Sequence, residues 1–517
     1  YRFRYRLLAF SLSSRRERKE SIKQKMKLPL LARKEPSLEV KILAIGAGGL
    51  QRALTHEYVH DLIKMGKYKG GIFVGQPRHS SKAEAFSQQG GLYHVVTFKV
   101  GGITGIKLIE SVVGASALST REGREQFLNQ VKNDLDLILV GVTEAGIRKG
   151  EIGMDILAET LFGYFSQHGP RSTISVMDTD NLKGNGQIVR DIQKEYAREK
   201  ENPSYLSWLE NKVDFLEEMG DRVVPDPSAV PEAIKEEAKK RIGKEDHLIT
   251  YTEKMPEQWS LVIRDAKGRL RVPFSELTHR GVIVTRGSIN SYHNWKLRLL
   301  NSVHIPFITH LAQLSGYKKI NAAANDPVIK EYLRTVVCGN AQIVEKDIPI
   351  EGEDAAKYAL SFVKRISELE DDPVRVNINH TLKLRERIAP TIISKHYTTA
   401  SEEFKDKLAF ALATVFRYLT AIKRDGDTYL GKDDLGATYR FTDANPTIPE
   451  LLIGARREDK EQIENKIRQI FEDFSLWTPP GSKQKIDLSS NEDCLRRVIG
   501  FYQRMIAGEK ALDILKT

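Results

Sequence analysis

The sequence predicts a doubly wound α/β domain at residues 35–285, followed by a mostly α-helical domain at residues 286–517. Up to about residue 285, apolar runs of strand length alternate with stretches of helical periodicity, which favours a largely parallel sheet. From Trp295 onward, the apolar positions repeat with the helical period instead. A chain of 517 residues is also too long for one simple core, so two domains are expected.

The α/β domain begins with a strand, a glycine turn and a helix. The apolar run Val40–Ile45 ends on Gly46, Gly48 and Gly49, and a helical period continues as far as Ile63. Further strands are predicted at 71–75 and 93–98, from 135 and from 173, with helices at 83–89 and from 188, and a loop plus a surface helix at 225–246. In the second domain, helical periods recur at 304–316, 326–337, 354–369, 402–422, 460–474 and 494–508.

The two cysteines, Cys338 and Cys494, bear on the compartment of the protein. Two cysteines cannot form a disulfide framework or a thiolate zinc site, and so few in a long chain indicate a reducing compartment. We therefore expect a cytoplasmic protein. No apolar run approaches the roughly twenty residues that a membrane span requires, so no membrane partner is expected.

The positive charge is concentrated at the N-terminus. Residues 1–34 contain twelve Lys or Arg against Glu17 and Glu20, so that all but one of the net +11 charges lie there. The rest of the chain is nearly neutral, which argues against a nucleic-acid partner. The first methionine is Met26. We expect residues 1–34 to be a basic tail outside the fold, either disordered or upstream of the true start.

The glycine turn suggests a dinucleotide site. In Rossmann-like domains the first strand-to-helix turn presents backbone N–H groups to a pyrophosphate, and its glycines allow close approach. Gly46, Gly48 and Gly49 fit this pattern; Gln51 replaces the third glycine of the standard fingerprint, and Arg52 supplies a positive charge for a phosphate. The alternative is a tight turn without a ligand.

The second strand bears on which dinucleotide is bound. An acidic residue at the end of this strand would bind the ribose hydroxyls of NAD. Here the strand is followed by QPRHSSK, which has Arg78 and Lys82 but no carboxylate before Glu84. We expect NAD as the cofactor and leave NADP open, because cations and hydroxyls suit a 2′-phosphate.

The stretch KLRLLNSVH, residues 296–304, places polar groups on an otherwise apolar helix. At about 100° per residue, Lys296, Asn301 and His304 share one side of the helix. Buried polar groups need partners. One interpretation is a core helix whose lysine reaches the surface; the other is a catalytic face that points an amine, an amide and an imidazole into one cavity.

Two further motifs have both a functional and a structural interpretation. HEYVH, from His56 to His60, matches the H-E-x-x-H pattern of zinc proteases, which makes a metalloprotease a remote alternative. It lies on the helix beside the glycine turn, and no third-ligand signature follows, so we expect no metal. DTDNLKGNG places Asp180, Asn181 and Asn185 after a strand, where open α/β sheets bind ligands, although such a turn also needs no function.

Together these segments resemble the mannitol dehydrogenase family of polyol-specific long-chain dehydrogenases, from about residue 38 onward. KLRLLNSVH matches the family signature K-x-R-x-L-N-x-x-H, and further similar segments are LVGVTEAGI, DNLKGNG, GDRVVP and RVNINHTLKLRERIAP. The resemblance implies an NAD(P)-dependent secondary-alcohol dehydrogenase that needs no metal.

The resemblance also implies roles for individual residues. Lys296 would be the general base, Asn181 and Asn301 would polarise the substrate oxygen, and His304 would bind and orient the substrate. The remaining implied contacts are Asp221, Arg375 and Lys383 to substrate, and Thr143 and Glu144 to the cofactor. A free lysine, with a pKa of about 10.4, is a poor base at neutral pH, but burial lowers its pKa.

The substrate class stays open at this stage between a sugar acid and a neutral polyol. TEAGI and SKAEAFSQQGGLYHVV are closest to tagaturonate reductases, whereas DNLKGNG is closer to mannitol dehydrogenases and fructuronate reductases. A hexuronate needs a cation for its carboxylate, which Arg375 or Lys383 would provide, but the same residues would also bind polyol hydroxyls. We expect a hexuronate reductase, with mannitol 2-dehydrogenase acting on fructose as the alternative, in a monomer or homodimer.

Overall fold

The computed structural model describes residues 28–33, 38–78, 80–142, 146–180, 182–253, 258–368, 370–377, 379–457, 459–479 and 485–517. Within these residues the chain forms an α/β domain followed by a helical domain, which confirms the predicted fold class. No helix of these residues is long and apolar enough to cross a membrane.

The α/β domain is built on an eight-stranded sheet. Seven neighbouring strand pairs are formed, and all are parallel except the pair of Val213–Gly220 with Leu261–Arg264. The spatial order of the strands is Val282–Thr285, Leu261–Arg264, Val213–Gly220, Ile174–Asp178, Leu137–Val140, Glu39–Ile45, Gly70–Gln76 and Val112–Ala117. A smaller sheet contains Gly102–Ile109, Tyr93–Lys99 and Thr250–Thr252.

Helices cover both faces of the large sheet, because alternate residues of its central strands are apolar on opposite sides. Ile42 and Ala44 pack into one buried cluster, whereas Leu43 and Ile45 pack into the other. The α-helices of this domain are Gly49–Ala53, Thr55–Lys64, Ser80–Gln88, Arg121–Leu128, Ile152–His168, Asn185–Glu199, Pro203–Asn211 and Glu232–Ile242. Helix 232–242 lies in the polar stretch where a surface helix was predicted.

The second domain is mainly helical. Its longest helices have the expected caps: Asp326 accepts from the N–H groups of Val328 and Ile329, and Ser401 accepts from that of Phe404. The α-helices are Asn290–Trp295, Thr309–Leu314, Ile320–Ala324, Pro327–Asp347, Ala355–Glu368, Pro373–Val376, His380–Arg387, Ala389–Ile392, Glu402–Leu419, Thr447–Leu452, Lys460–Glu472, Phe474–Trp477, Glu492–Ile506 and Ala511–Lys516. The predicted helical periods agree with these helices, but the antiparallel sheet of Lys423–Asp425, Thr428–Lys432 and Thr438–Phe441 was not predicted.

The two domains share a buried aromatic contact. Trp259, just before a strand of the large sheet, stacks on Tyr358 of helix Ala355–Glu368, with ring centroids 4.2 Å apart and planes 11° apart. Trp295 lies against both rings. All three side chains are buried, so this contact continues the core of the helical domain onto the sheet.

The prediction that residues 1–34 lie outside the fold is wrong for residues 28–33. Leu31 is buried, and its N–H donates to the carbonyl of Glu245. Arg33 donates to three backbone carbonyls, those of Gly90, Glu110 and Val112, at 2.7–2.9 Å. Charge counting does not distinguish a basic tail from an arginine that binds carbonyl groups, which is why the prediction failed here. Residues 1–27 and 34 lie outside the described residues.

Candidate active site

The glycine turn is shaped by close packing against the neighbouring strand ends. Gly46 has a φ of +91°, and a Cβ added there would lie 2.5 Å from the carbonyl oxygen of Gly141, so only glycine fits without strain. Its N–H donates to the carbonyl of Gly75 at 2.7 Å. At Gly48, by contrast, an added Cβ would meet no atom within 4 Å.

A cavity of about 230 Å³ lies over this turn. Its walls come from the turn itself, the end of the second strand, and the segment that leads into helix Ile152–His168. The lining residues are Gly46, Ala47, Gly48, Gln76, Pro77, Arg78, Lys82, Gly141, Val142, Gly146, Glu151, Ile152 and Gly153. Because the open side of Gly48 faces this cavity, the residues present fit a dinucleotide whose phosphates approach the backbone closely.

Two predicted cofactor contacts do not line the cavity. Gly49 faces Val224, with an added Cβ 2.9 Å from its side chain. Arg52 is buried, donates to the carbonyl of Leu248 and lies over the ring of Tyr93 at 5.9 Å. Arg52 therefore adds positive charge below the site but does not reach into the cavity.

The segment that carries Lys296 is not an ordinary α-helix. Lys296–Asn301 and Val303–Ile308 are π-helical, and Ile305 departs from helical geometry with φ −126° and ψ 116°. A π-helix bonds each residue to the one five positions along, so Lys296 and Asn301 are brought onto one side of the segment. Such insertions occur frequently at functional sites. The 100° spacing used in the sequence prediction therefore does not describe this segment.

Lys296 is buried at the boundary between the two domains. Its Nζ donates to the backbone carbonyl of Gly220, at the end of strand Val213–Gly220. Burial lowers the pKa of Lys296, and nearby Arg365 lowers it further, whereas Asp221 and Glu218 raise it. The net direction is downward, which suits an amine that must exchange a proton near neutral pH.

Two buried carboxyl groups lie at the strand ends near this amine. Burial raises the pKa of Asp178 to about 8, and neighbouring Asp180 raises it as well. Burial also raises the pKa of Glu218 well above its usual value, although Lys296 opposes the shift. The strands that carry them, Ile174–Asp178 and Val213–Gly220, are parallel neighbours. Sequence reasoning missed Glu218 because strand Val213–Gly220 was not predicted; it predicted the strand from residue 173 but assigned Asp178 no role in the site.

His304 lines a small hollow beside the Lys296 segment. The ring of His304 lies 5.1 Å from that of Phe362, and the hollow is completed by Val223, Glu253, Arg365, Ile366 and Asp371. Arg365 donates to Asp221 at 2.8 and 3.2 Å and to Glu253 at 3.0 Å. The predicted substrate contact Asp221 is therefore next to this hollow, but it already has a cationic partner.

The helix His380–Arg387 brings two cations to the other side of the segment. Arg387 donates to the backbone carbonyl of Asn301 at 2.8 Å, and Lys383 donates to that of Val376 at 3.2 Å. The pKa of Lys383 is lowered to about 8, mainly by burial and also by the charge of Arg387, while Asp443 opposes the shift. Burial lowers the pKa of Arg387 as well. Arg387 was not predicted, although it lies one helical turn after Lys383.

Several predicted residues cannot be placed. Asn181, Thr143 and Glu144 lie outside the described residues, as does the side chain of Arg375. Of the two amide donors implied around the substrate oxygen, Asn181 and Asn301, the structure therefore describes only Asn301.

The HEYVH motif has structural contacts. Glu57 binds Arg222, Lys107 and Arg280. Burial would raise its pKa, but Arg222 and Lys107 outweigh that effect and lower the pKa to about 2. His60 accepts the N–H of Glu110 at 3.1 Å. In the part of the chain that the structure describes, no group of three or more His, Cys, Asp or Glu could hold a metal ion. Glu57 is thus committed to ion pairs rather than free to act as a base.

The fold and this interdomain site define a dinucleotide-binding oxidoreductase with a helical second domain. The family models for the mannitol dehydrogenase Rossmann domain and the mannitol dehydrogenase C-terminal domain match residues 40–268 and 288–473. The chain belongs to the mannitol dehydrogenase family, whose members include polyol dehydrogenases.

Individual relatives cover most of the chain at low identity. A mannitol 2-dehydrogenase of Aspergillus terreus is 26% identical over 501 residues, covering 89% of this chain and 96% of its own. An altronate oxidoreductase of Halalkalibacterium halodurans is 24% identical over 442 residues, covering 79% and 82%. The solved ternary complex of Pseudomonas fluorescens mannitol 2-dehydrogenase with NAD and D-mannitol is 18% identical, with a TM-score of 0.68 and coverage of 95% and 96%.

Proposed function

We propose that this protein is a hexuronate reductase that uses a nicotinamide dinucleotide to interconvert tagaturonate or fructuronate and the corresponding aldonate. The observation that carries this proposal is the pair of cations Lys383 and Arg387 beside Asn301. Among the residues that the structure describes, neither forms an ion pair with a carboxylate. Half-buried positive charge without a counter-ion favours an anionic ligand.

The pKa shifts support the same interpretation. Lys383 and Arg387 lie four positions apart on one helix face. Burial lowers the pKa of each side chain, because no acid fully compensates its positive charge. The nearest acid in electrostatic terms, Asp443, accepts from both the N–H and the hydroxyl of Thr381 at 3.1 Å. The carboxylate of a sugar acid would supply the missing negative charge beside Lys383 and Arg387, whereas a neutral polyol would not.

In the proposed mechanism Lys296 transfers the proton of the substrate hydroxyl. When bound, the nicotinamide exchanges a hydride with the carbinol carbon of the substrate. In the oxidative direction neutral Lys296 accepts the hydroxyl proton, and in the reductive direction protonated Lys296 returns it to the carbonyl oxygen. Its hydrogen bond to the Gly220 carbonyl orients the amine, and burial lowers its pKa, which favours the neutral form that accepts a proton.

Two amides would stabilise the charge that develops on the substrate oxygen. Asn301 follows Lys296 by one π-helical turn, and Asn181 is the second donor implied by the family resemblance. In other enzymes, removal of one such donor costs roughly 3 kcal/mol of transition-state stabilisation. His304 would bind a substrate hydroxyl at the hollow lined by Phe362. Gly46 and Gly48 would hold the pyrophosphate, and no metal is assigned a role.

A mannitol 2-dehydrogenase acting on fructose is the second candidate. It is favoured by the name of the Aspergillus terreus relative and by the acidic groups Asp221 and Glu253 near His304, since carboxylates bind polyol hydroxyls.

The substrate test uses the absorbance of the reduced nicotinamide. Purified protein is given NADH or NADPH with tagaturonate, fructuronate and fructose in turn. Turnover of one uronate without turnover of fructose supports the first proposal, and turnover of fructose alone supports the second. If all three are inactive while the cofactor still binds, both substrate assignments are wrong.

A further inference from the structure

Glu218 is a buried acid that reaches the same backbone position as the Lys296 amine. Glu218 and Gly220 are two residues apart on strand Val213–Gly220, so both positions face the same side of the sheet. The carboxyl group of Glu218 lies in the space beside Gly220, where an added Cβ would be 3.4 Å from its Oε2. Lys296 donates to the carbonyl of that same glycine. The amine and the carboxyl group therefore meet at the end of this strand.

The carboxyl group of Glu218 has no other strong partner. Glu218 is 2% exposed, and among the described residues its Oε2 has no hydrogen-bond partner. Asp178, on the parallel neighbouring strand, is 1% exposed, and in the same part of the chain neither of its carboxyl oxygens has a partner. A buried carboxylate without partners is costly, so such groups are held as neutral acids. Glu218 is thus placed to carry a proton beside Lys296.

Asn185 fixes the backbone that carries both acids. Its Nδ2 donates to the carbonyls of Asp178 and Glu218, at 3.1 and 3.3 Å, and its Oδ1 accepts the N–H of Glu218 at 3.2 Å. These bonds connect the two strand ends to the first residue of helix Asn185–Glu199. They use only backbone groups of the acids, so they hold both residues in place and leave the carboxyl groups unpaired.

The electrostatic environment brings the two groups close in their affinity for a proton. Burial raises the pKa of Glu218 and lowers that of Lys296, while the charge of each group opposes the shift of the other. Asp221 and Arg365 pair with each other and shift the pKa of Lys296 in opposite directions. Other titratable groups that face the pair are Asp178, Asp180 and His293, the last with a pKa lowered to about 4, mainly by burial, and therefore neutral near pH 7.

We infer that Glu218 is the proton partner of Lys296, and that one proton passes between its carboxyl group and the Lys296 amine in every turnover. The inference rests on the proposed function, because it extends the role given there to Lys296. In the reductive direction the Lys296 ammonium gives a proton to the substrate oxygen as hydride reaches the carbonyl carbon, and the Glu218 carboxylic acid then restores that proton to the amine. Glu218 is left as a carboxylate and regains a proton from solvent. In the oxidative direction each proton moves the opposite way.

The protonation of Glu218 can be measured without substrate. The infrared spectrum of the full chain in D₂O near pH 7 shows a carbonyl band for protonated carboxyl groups, which ionised carboxylates lack. Glu218→Gln is expected to reduce this band. The matched control is Glu217→Gln, at the preceding residue on the opposite face of the strand, where the acid pairs with Arg264; this variant should leave the band unchanged. An unchanged band in Glu218→Gln overturns the inference, because the acid then holds no proton to transfer.

The proton transfer itself is tested in a single turnover. Reduction of fructuronate by NADH, or of fructose if only that is active, is followed by the loss of NADH absorbance in mixtures of H₂O and D₂O. Two protons in transit should make the rate a curved function of the deuterium fraction in the unchanged protein and in Glu217→Gln. Glu218→Gln should give a straight line and a rate at least about tenfold lower. Glu218→Asp, which keeps a carboxyl group, should recover part of the curvature.

The outcomes separate this inference from the proposed function. A straight line in the unchanged protein overturns the relay while the dehydrogenase assignment stands, and so does a curve or an undiminished rate in Glu218→Gln. A loss of stability without these kinetic changes would likewise leave Glu218 with only a structural role. If none of the substrates is reduced, the proposed function fails and the relay fails with it.

Discussion

Arg365 contacts both carboxylate oxygens of Asp221, at 2.8 and 3.2 Å, across the boundary between the two domains. Asp221 directly follows strand Val213–Gly220, whose last carbonyl accepts the Lys296 amine. Arg365 also binds Glu253. One guanidinium thus pairs with two acids of the α/β domain and holds them against the helix Ala355–Glu368 of the other domain.

The first prediction concerns the replacement of this guanidinium. Arg365→Met is expected to lower the free energy of unfolding by about 3 kcal/mol, because it leaves two largely buried carboxylates without their cation. It should also raise the pKa of Lys296, since Arg365 is one of the groups that lower it. Urea unfolding measures the first effect, and the pH dependence of the oxidative rate measures the second.

A purely structural role for Arg365 would change only the unfolding free energy. Arg264→Met is a suitable control, because Arg264 pairs with Glu217 away from Lys296. An unchanged pH profile in Arg365→Met would contradict the electrostatic coupling described here.

The second prediction concerns Lys296 itself. Lys296→Ala should lower kcat by about 10³-fold or more, because no other described amine donates to the Gly220 carbonyl and the proton transfer would fall to water. Dinucleotide affinity should stay close to that of the unchanged protein, since Lys296 does not line the cavity over the glycine turn. Lys346→Ala, an exposed lysine of helix Pro327–Asp347, controls for loss of charge alone. Turnover close to that of the unchanged protein would refute the assignment.

The third prediction uses the pKa of Lys383 to test the nature of the substrate. The amine titrates at about 8, so it is charged below that pH and neutral above it. If it binds a substrate carboxylate, KM for a hexuronate should rise as the pH increases through 8, and Lys383→Met should raise KM about tenfold already at pH 7. KM for fructose in the same protein should change little. A hexuronate KM that is flat from pH 7 to 9 would argue against the uronate proposal.

The geometry of the segment that carries Lys296 differs from the geometry that the sequence indicated. Lys296, Asn301 and His304 were chosen because they share a face at the α-helical period. In the structure Lys296 and Asn301 share it through π-helical bonding, which depends on how the segment packs between domains and leaves no clear local sequence signal. Similarly, the helix predicted to continue through Ile63 is broken at Leu54, with φ −127° and ψ −85°, although no glycine or proline marks the break.

Residues that act through tertiary neighbours could not be predicted from local patterns. Arg387 reaches the site by donating to Asn301, which is 86 positions away in the chain. Glu218 and Asp178 become a pair of buried acids only because their strands are adjacent in the sheet. The glycine turn, in contrast, was predictable. The connection between the first strand and the first helix recurs in this fold, and its close packing requires a glycine at position 46.

The fourth prediction concerns the N-terminal segment that proved to be part of the fold. Arg33→Ala should destabilise the protein by about 2 kcal/mol, because three carbonyl groups lose a charged donor. Deletion of residues 1–27 should leave both stability and activity unchanged, whereas deletion of 1–34 should destabilise the protein by more than Arg33→Ala, because it also removes buried Leu31 and its hydrogen bond to Glu245. Thermal unfolding of the three variants makes the comparison. Equal stability of the two deletions would show that the contacts of Arg33 contribute little.

The fifth prediction concerns Asp178, whose pKa burial raises from 3.8 to about 8. Between these values the folded protein holds this proton and the unfolded chain has released it, so the free energy of unfolding should fall as the pH rises, and above 8 this contribution becomes constant. One such group contributes a slope of at most about 1.4 kcal/mol per pH unit. Asp178→Asn removes the titrating group, so its advantage over the unchanged protein should grow from pH 5 to pH 8.

Urea unfolding at pH 5, 6.5 and 8 measures this slope. The control Asp427→Asn, at an exposed position of the second domain, should follow the unchanged protein at all three values. A constant difference between Asp178→Asn and the unchanged protein would mean that Asp178 is already ionised at pH 5. In that case Lys296 would face a fixed negative charge near the strand ends, and the downward shift of its pKa would be smaller than burial alone produces.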